Sequence, residues 1–307
     1  QMGFTYLGPV DGHDLKSVCE LLAQAKKMKK PVLLHVMTQK GRGYAPSENN
    51  PEKYHGVSQF DRVTGEFLAK KKEDFSARFG AELCGLADKD ARICAITAAM
   101  PSGTGLTRFS TLHRDRFFDV GIAEEHAVAM AAGMAAQGLV PVVALYSTFL
   151  QRAYDQIVHD VAIEGLHVVF CIDRAGIVGA DGETHHGIFD LSYLATMPHL
   201  SVLAPTSDET LRESMDYAME QGGPCAIRYP RGEVMTEEAG RLPSLLYYNR
   251  TMEYGSAPLA DRVEILGVGK MAGIGREVFV RLLEKGVQAR YQDVNIVKPI
   301  ETSINAM

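Results

Sequence analysis

No two of the five cysteines, Cys19, Cys84, Cys94, Cys171 and Cys225, stand close enough to form a metal knuckle, and the odd number argues against a disulfide framework. Each lies in an apolar or helical setting, which reads as buried free thiols of a reducing cytosol. An excess of basic charge is also missing. The net charge of −6 and a pI near 5.9 exclude nucleic acid or an anionic membrane as the main partner. No apolar run approaches the roughly 18 residues of a membrane span. The start, Gln1-Met2-Gly3-Phe4, is neither a secretion signal nor an ordinary initiation site, and reads as the middle of a longer chain. What is present is the profile of a soluble globular protein, 46% hydrophobic and 23% charged over 307 residues. That length suits two domains and part of a third.

The stretch Phe117 to Gly133 organises the middle of the chain. Phe117 to Ile122 reads as a buried strand, and the Ala- and Met-rich segment after it as a helix. Glu124, Glu125 and His126 fall at the junction, where α/β proteins gather ligands at the carboxyl ends of strands. A carboxyl group flanked by so many methyls is poorly solvated, which favours retention of its proton. The plainer alternative is that both glutamates only charge the first helical turn, where the helix dipole favours them.

The remaining pattern is alternating. Gly8-Pro9-Val10-Asp11-Gly12 reads as a turn cluster, and Asp14 as the cap of a helix from Leu15 to about Lys29. Residues 31–38 read as a buried strand, so this helix–strand pair has no strand before it and resembles the end of an α/β domain. The polar stretch to about Lys72 has no period and reads as irregular. From Phe75 the reading is helix, strand at 91–99, the central strand and helix, and strand at 140–146. A long helix from Thr148 to Ile163 follows, capped by Ser147. Then come a strand at 167–172, a Gly-rich loop at 173–187, a helix at 189–196 and a strand at 201–203. A helix capped by Ser207 or Asp208 and a strand at 225–229 close the domain. Beyond a polar linker, 263–268, 275–285 and 289–294 read as strand, helix and strand. Such alternation predicts an α/β fold with mostly parallel sheets and helices on both faces. Gly267-Val268-Gly269-Lys270 does not match a phosphate-binding loop and reads as a strand–helix turn.

Several blocks resemble one family. They are Tyr6-Leu7-Gly8-Pro9-Val10-Asp11-Gly12-His13-Asp14, Thr38-Gln39-Lys40-Gly41-Arg42-Gly43-Tyr44, and Phe118-Asp119-Val120-Gly121-Ile122-Ala123-Glu124-Glu125-His126-Ala127. Three more follow: Tyr146 to Gln156, Asp173-Arg174-Ala175-Gly176 through Gly182-Glu183-Thr184-His185-His186-Gly187, and Arg228-Tyr229-Pro230-Arg231-Gly232. They resemble the thiamine-diphosphate enzymes related to transketolase, and within these the branch of 1-deoxy-D-xylulose-5-phosphate synthases. The resemblance implies a transketolase-like fold in consecutive domains. Residues 1–38 would be the end of a diphosphate-binding domain, 39–74 a linker or active-site loop and 75–235 a pyrimidine-binding domain; 236–262 would be a linker and 263–307 a truncated C-terminal domain.

The same resemblance implies roles. Glu124 would hydrogen-bond the aminopyrimidine of thiamine diphosphate, leaving Glu125 as surface charge. Tyr44, Tyr146 and Phe149 would contact the cofactor. His185 would exchange protons with the substrate, and His55 would be a second active-site histidine. Arg152, Arg174 and Arg231 would grip a sugar phosphate, with Asp181 beside it. The substrates implied are pyruvate and D-glyceraldehyde 3-phosphate, the setting isoprenoid and thiamine biosynthesis in the cytoplasm (or plastid), and the assembly a homodimer. The family binds Mg²⁺ on a Gly-Asp-Gly…Asn segment, which this sequence lacks, so the metal ligands are expected outside this chain. The chain is then expected to be a piece of the enzyme or one half of a split one, inactive alone. A split transketolase, a β-type subunit of a 2-oxo acid dehydrogenase and a non-catalytic dimerising scaffold are the alternatives.

Overall fold

The computed structural model describes residues 3–51, 53–68, 74–234, 251–254 and 262–299. It divides into two compact units, residues 1–71 and 72–307.

In the first unit β1 (Thr5–Asp11) and β2 (Val32–Met37) pair in parallel around α1 (Leu15–Lys27). A strand therefore does precede the helix, where a turn cluster was expected. Gly8-Pro9 falls inside β1, and the pairing register shifts between Leu7 and Val10, which lets the strand continue past a residue that cannot donate a ladder hydrogen bond. Asp14 caps α1, its carboxylate accepting from the Ser17 amide at 3.3 Å, and Lys26 and Lys27 occupy the last turn. β2, read as buried, is mostly exposed within this unit: Leu33 is 55% accessible. The segment after it is less irregular than expected. It contains a short α2 (Ala45–Asn49) and packs around four rings, Tyr44, Tyr54, Phe60 and Phe67, with centroids 5.4–6.2 Å apart along the chain of contacts.

The second unit opens with α3 (Phe75–Lys89), capped by Asp74, and β3 (Ile93–Thr97). A short α4 (Thr107–Leu112), absent from the sequence reading, precedes β4 (Phe117–Asp119). β4 is shorter than read: the run ends at Asp119, and Ile122 is 81% exposed. α5 (Glu124–Ala136) and β5 (Val140–Tyr146) follow as expected. The helix expected from 148 to 163 is instead a composite. α6 (Ser147–Leu150) tightens into a 3₁₀ turn at Gln151–Ala153, passes through α7 (Tyr154–Gln156), and widens into a π-helix at Ile157–Ala162. Ser147 does not cap it. Its hydroxyl is buried and makes no hydrogen bond among the described residues.

Next come β6 (Val169–Asp173), α8 (Asp190–Thr196) and β7 (Ser201–Leu203). α9 (Asp208–Glu220) is capped by Ser207 in a reciprocal box with Thr210, and β8 (Cys225–Arg228) completes the series. Most of the 236–262 linker lies outside the described residues, but Thr251–Tyr254 within it forms β9. β10 (Val263–Gly267), α10 (Met271–Glu284) and β11 (Ala289–Asp293) then build a small three-stranded sheet in the order β10-β11-β9. The Gly267–Lys270 turn simply leads from strand to helix. A Cβ on Gly267 would lie 2.6 Å from the Ala272 Cα, so the packing of α10 requires glycine there.

β12 (Ile296–Lys298) was not expected. It leaves the small sheet and pairs antiparallel with β7, giving a seven-stranded sheet ordered β12-β7-β8-β6-β5-β3-β4 that is otherwise parallel. Helices cover both faces. Phe79 and Leu83 of α3 pack with Leu211 and Met215 of α9 on one side; Val128 and Ala131 of α5 pack with Ile157 and Val161 on the other. Each of the larger of these side chains contributes about 1.5–3 kcal/mol by leaving water. Their burial fixes the strand ends at which the polar groups gather.

Candidate active site

Asp119 shapes the corner between β4 and α5. Its Oδ1 accepts from the amides of Ala99, at 2.7 Å, and Gly121, at 3.0 Å, and so ties the ends of β3 and β4 together. The chain then turns into α5 with Glu124 in its first turn, 2% exposed among Ala and Val side chains. Its Oε1 accepts from Nη1 of Arg152 at 2.9 Å, while Oε2 is buried with no hydrogen-bond partner among the described residues. The expectation of an enclosed carboxyl group at this junction therefore holds, with a guanidinium beside it that the sequence did not reveal.

Arg152 sits on the 3₁₀ turn after α6, with its side chain half exposed. Its guanidinium lies 5.3 Å from the Phe149 ring centroid. Phe149 stacks on Tyr146, centroids 5.8 Å apart and planes 18° from parallel, and the ring of His185 meets Phe149 edge-on at 5.4 Å. The His185 Nδ1 lies 3.0 Å from the Thr184 hydroxyl, and the Thr184 carbonyl accepts from Thr148. The 183–187 turn is thereby attached to the start of α6. On the other side of Tyr146 the guanidinium of Arg174 lies 4.1 Å from the ring centroid. Burial pushes the Tyr146 phenol above its ordinary value, and the Arg174 charge offsets part of that.

Asp181 joins the last pair. Its Oδ1 is 3.0 Å from Nη1 of Arg231, and its Oδ2 is 3.5 Å from Nε of Arg174. Contacts thus run without a break from Glu124 through Arg152, Phe149, Tyr146, Arg174 and Asp181 to Arg231, with His185 packed against Phe149 and Tyr146. Eight of the residues singled out from sequence stand in one constellation at the carboxyl ends of β4, β5, β6 and β8. It combines an enclosed carboxylate with an unsatisfied oxygen, an apolar aromatic wall, an imidazole and three cations, which suits an anionic ligand that also carries a flat heteroaromatic part.

Tyr44 and His55 belong to the first unit. Tyr44 precedes α2 with its hydroxyl buried, and helps to line an open pocket of ≈ 490 Å³ with His13, Gln39, Arg42 and Tyr54. His13, which sequence reasoning passed over, is fixed there by accepting from the Gln39 amide at 2.8 Å. His55 is exposed and does not line that pocket. Among the described residues no three His, Cys, Asp or Glu side chains are placed to hold a metal ion. No helix among them is long and apolar enough to cross a membrane.

Ser76 and Asp173 are further residues of the site that the sequence did not single out. Asp173 ends β6 with no exposure at all, and burial pushes its carboxyl group above the ordinary range despite the adjacent Arg174. Ser76, from α3, donates to its Oδ2 at 2.6 Å.

The model of the transketolase pyrimidine-binding domain matches residues 71–236, and that of 1-deoxy-D-xylulose-5-phosphate synthase matches residues 1–38. A 1-deoxy-D-xylulose-5-phosphate synthase of Desulfitobacterium hafniense is 48% identical over 98% of this chain and 47% of its own length. That of Syntrophomonas wolfei is 48% identical over 100% of this chain and 48% of its own. The chain therefore spans about half the length of the curated relatives it matches. Among solved structures, a split-gene transketolase in an inactive beta4 tetramer is 25% identical with a TM-score of 0.63, covering 77% of this chain and 76% of that one.

Proposed function

Because the chain belongs to the transketolase pyrimidine-binding family, we propose that it supplies the pyrimidine-binding part of a thiamine-diphosphate-dependent transferase. The reaction is the condensation of pyruvate with D-glyceraldehyde 3-phosphate to 1-deoxy-D-xylulose 5-phosphate and carbon dioxide, a step towards isoprenoids and thiamine. The observation that carries this reading is Glu124, enclosed yet with Oε2 unsatisfied, beside a parallel aromatic pair and in line with three arginines. A buried carboxylate oxygen without a partner costs on the order of 1–3 kcal/mol, and a ligand N–H donor would remove that cost.

These residues fit the cofactor. Within the second unit, Glu124 through Oε2 and the Tyr146 and Phe149 rings would hold it, and when bound it supplies a carbanion equivalent for joining the two substrates. Arg152 faces Glu124, keeps its carboxylate aimed from α5, and is proposed with Arg174 and Arg231 as one of the three groups that grip the sugar phosphate. The aromatic wall excludes water. His185, its Nδ1 beside the Thr184 hydroxyl, presents Nε2 for moving a proton at a substrate hydroxyl or carboxylate, and His55 is assigned a second proton-handling role. Arg174 and Arg231, already facing the Asp181 carboxylate, exchange it for the phosphate of the acceptor. Mg²⁺ would be held by ligands outside this chain, the assembly is a homodimer, and the setting is the cytoplasm. The domain scheme proposed is a diphosphate-domain segment to residue 38, an active-site loop to 74, the pyrimidine domain to 235, a linker to 262, and the C-terminal domain after it.

The test is to combine the chain with the diphosphate-binding half, thiamine diphosphate and Mg²⁺, add both substrates, and follow the five-carbon deoxy sugar. A split transketolase is the second reading, favoured by the likeness to the split-gene enzyme. It predicts two-carbon transfer from a ketose phosphate and no carbon dioxide. Calorimetry with the cofactor and Mg²⁺ separates both from a non-catalytic scaffold, which gives no heat.

A further inference from the structure

The three arginines of the site are held in different ways. Arg152 and Arg231 have side chains 51% and 38% exposed, and each faces one carboxylate. Arg174 is 12% exposed and held on several sides. Its Nη1 donates to the Gly103 carbonyl at 2.6 Å and to the Ser76 hydroxyl at 3.2 Å, and lies 3.0 Å from Oδ1 of Asp173. Its plane rests on Tyr146. Nη2 takes part in none of these bonds.

The backbone is arranged for this hold. Arg174 adopts φ 59°, a left-handed conformation costly for a residue with a side chain, and this lets its guanidinium fold back against the preceding Asp173. The Asp173 carboxylate is itself aimed, Oδ1 by the Arg174 amide at 2.7 Å and Oδ2 by Ser76 at 2.6 Å. Ser76 is fixed from α3, whose backbone meets the 101–106 loop so closely that a Cβ on Gly105 would lie 1.9 Å from the Ser76 carbonyl oxygen. That loop also carries the Gly103 carbonyl. Helix, loop and strand end therefore converge on one nitrogen of one arginine.

We propose that Ser76 and Asp173 are positioning residues that set the Arg174 guanidinium for the phosphate of the acceptor, so that recognition of the phosphorylated substrate depends on a hydroxyl and a carboxylate that do not touch it. This rests on the reading of Arg174 as a phosphate-binding group. A preorganised guanidinium forfeits less side-chain entropy on binding than a mobile one. Loss of the Ser76 hydroxyl leaves Oδ2 of Asp173 buried without its donor and frees the carboxylate to rotate.

The test uses the complete enzyme carrying Ser76→Ala, Ser76→Thr, Asp173→Asn or, as reference, Arg174→Ala. KM is measured for D-glyceraldehyde 3-phosphate, for unphosphorylated D-glyceraldehyde and for pyruvate. Ser76→Ala and Asp173→Asn are expected to raise KM for the phosphorylated acceptor roughly tenfold, the size of one lost hydrogen bond to a charged group. The other two KM values should stay within about twofold, and Ser76→Thr, which keeps the hydroxyl, should behave as the parent. The Ki of inorganic phosphate as a competitor should rise in step. Ser76→Ala removes one oxygen and decides the matter even where Asp173→Asn does not fold. Equal losses with both acceptors, or an unchanged Ser76→Ala beside an impaired Arg174→Ala, overturn the inference while leaving the phosphate assignment intact. An unimpaired Arg174→Ala overturns both.

Discussion

Removing the Arg152 side chain is predicted to destabilise the second unit by about 2 kcal/mol at neutral pH, an effect that passes through Glu124. Breaking an ion pair enclosed on both sides costs about 3–5 kcal/mol, because the remaining charge is stranded. Here only one side is enclosed: the Glu124 side chain is 2% exposed and that of Arg152 51%. Water can enter the space vacated by the arginine and hydrate Oε1, whereas Oε2 remains enclosed. The cost therefore falls near the value for an unsatisfied buried group, about 2 kcal/mol, or roughly 4–8 °C in Tm for a unit of this size. Urea unfolding of the 307-residue chain, followed by far-UV circular dichroism, reads the change as a lower midpoint with an unchanged slope. The control is the double variant Glu124→Gln/Arg152→Ala, which removes the stranded charge and should recover about half of the loss. A cost below about 0.5 kcal/mol for Arg152→Ala, or a double variant no more stable than the single one, would refute the reasoning.

Burial pushes the Cys94 thiol up to about 11 and that of Cys225 up to about 12, so at pH 8 only Cys19, the one exposed cysteine, should react with an aromatic disulfide reagent. All five should react in denaturant, and rapid native labelling of more than one would contradict the fold. Asp173 has its folded-state value raised by burial, so its contribution to stability is present below the ordinary carboxylate range and lost as pH rises through the raised value. Asp173→Asn should flatten that part of the stability profile, and an unaltered profile would remove the claim. Phe79→Ala deletes a fully buried ring 5.8 Å from Tyr229 and should cost about 3–5 kcal/mol in the same urea assay. Phe149→Ala should weaken binding of thiamine diphosphate to the complete enzyme about tenfold through loss of the stacked wall; a change below twofold would displace Phe149 from the cofactor site.

The elements legible in the sequence were those set by local pattern. β5 and β7 fall where the apolar runs stand, and the caps at Asp14 and Ser207 follow from their side chains. What escaped was set by distant partners. β12 exists because the open edge of β7 accepts it, and nothing in Ile296–Lys298 announces that edge. β1 was hidden by Gly8-Pro9, which reads as a turn until a parallel neighbour draws the strand through it. The composite helix after β5 carries ordinary helix formers, and its 3₁₀ and π segments arise where packing against α5 overrides the 3.6-residue period. The site was divided in the same way. Glu124, the aromatic pair and the three arginines were identified by resemblance, whereas the hydroxyl of Ser76 meets Asp173 from 97 residues away, a contact that no local pattern encodes.

The central claim is that the enclosed carboxyl group of Glu124 activates the cofactor. Its most direct test is the rate of 1-deoxy-D-xylulose 5-phosphate release from pyruvate and D-glyceraldehyde 3-phosphate by the complete enzyme bearing Glu124→Ala. A fall of at least about a hundredfold is expected, with the fold intact by circular dichroism. Release at the parent rate would contradict it.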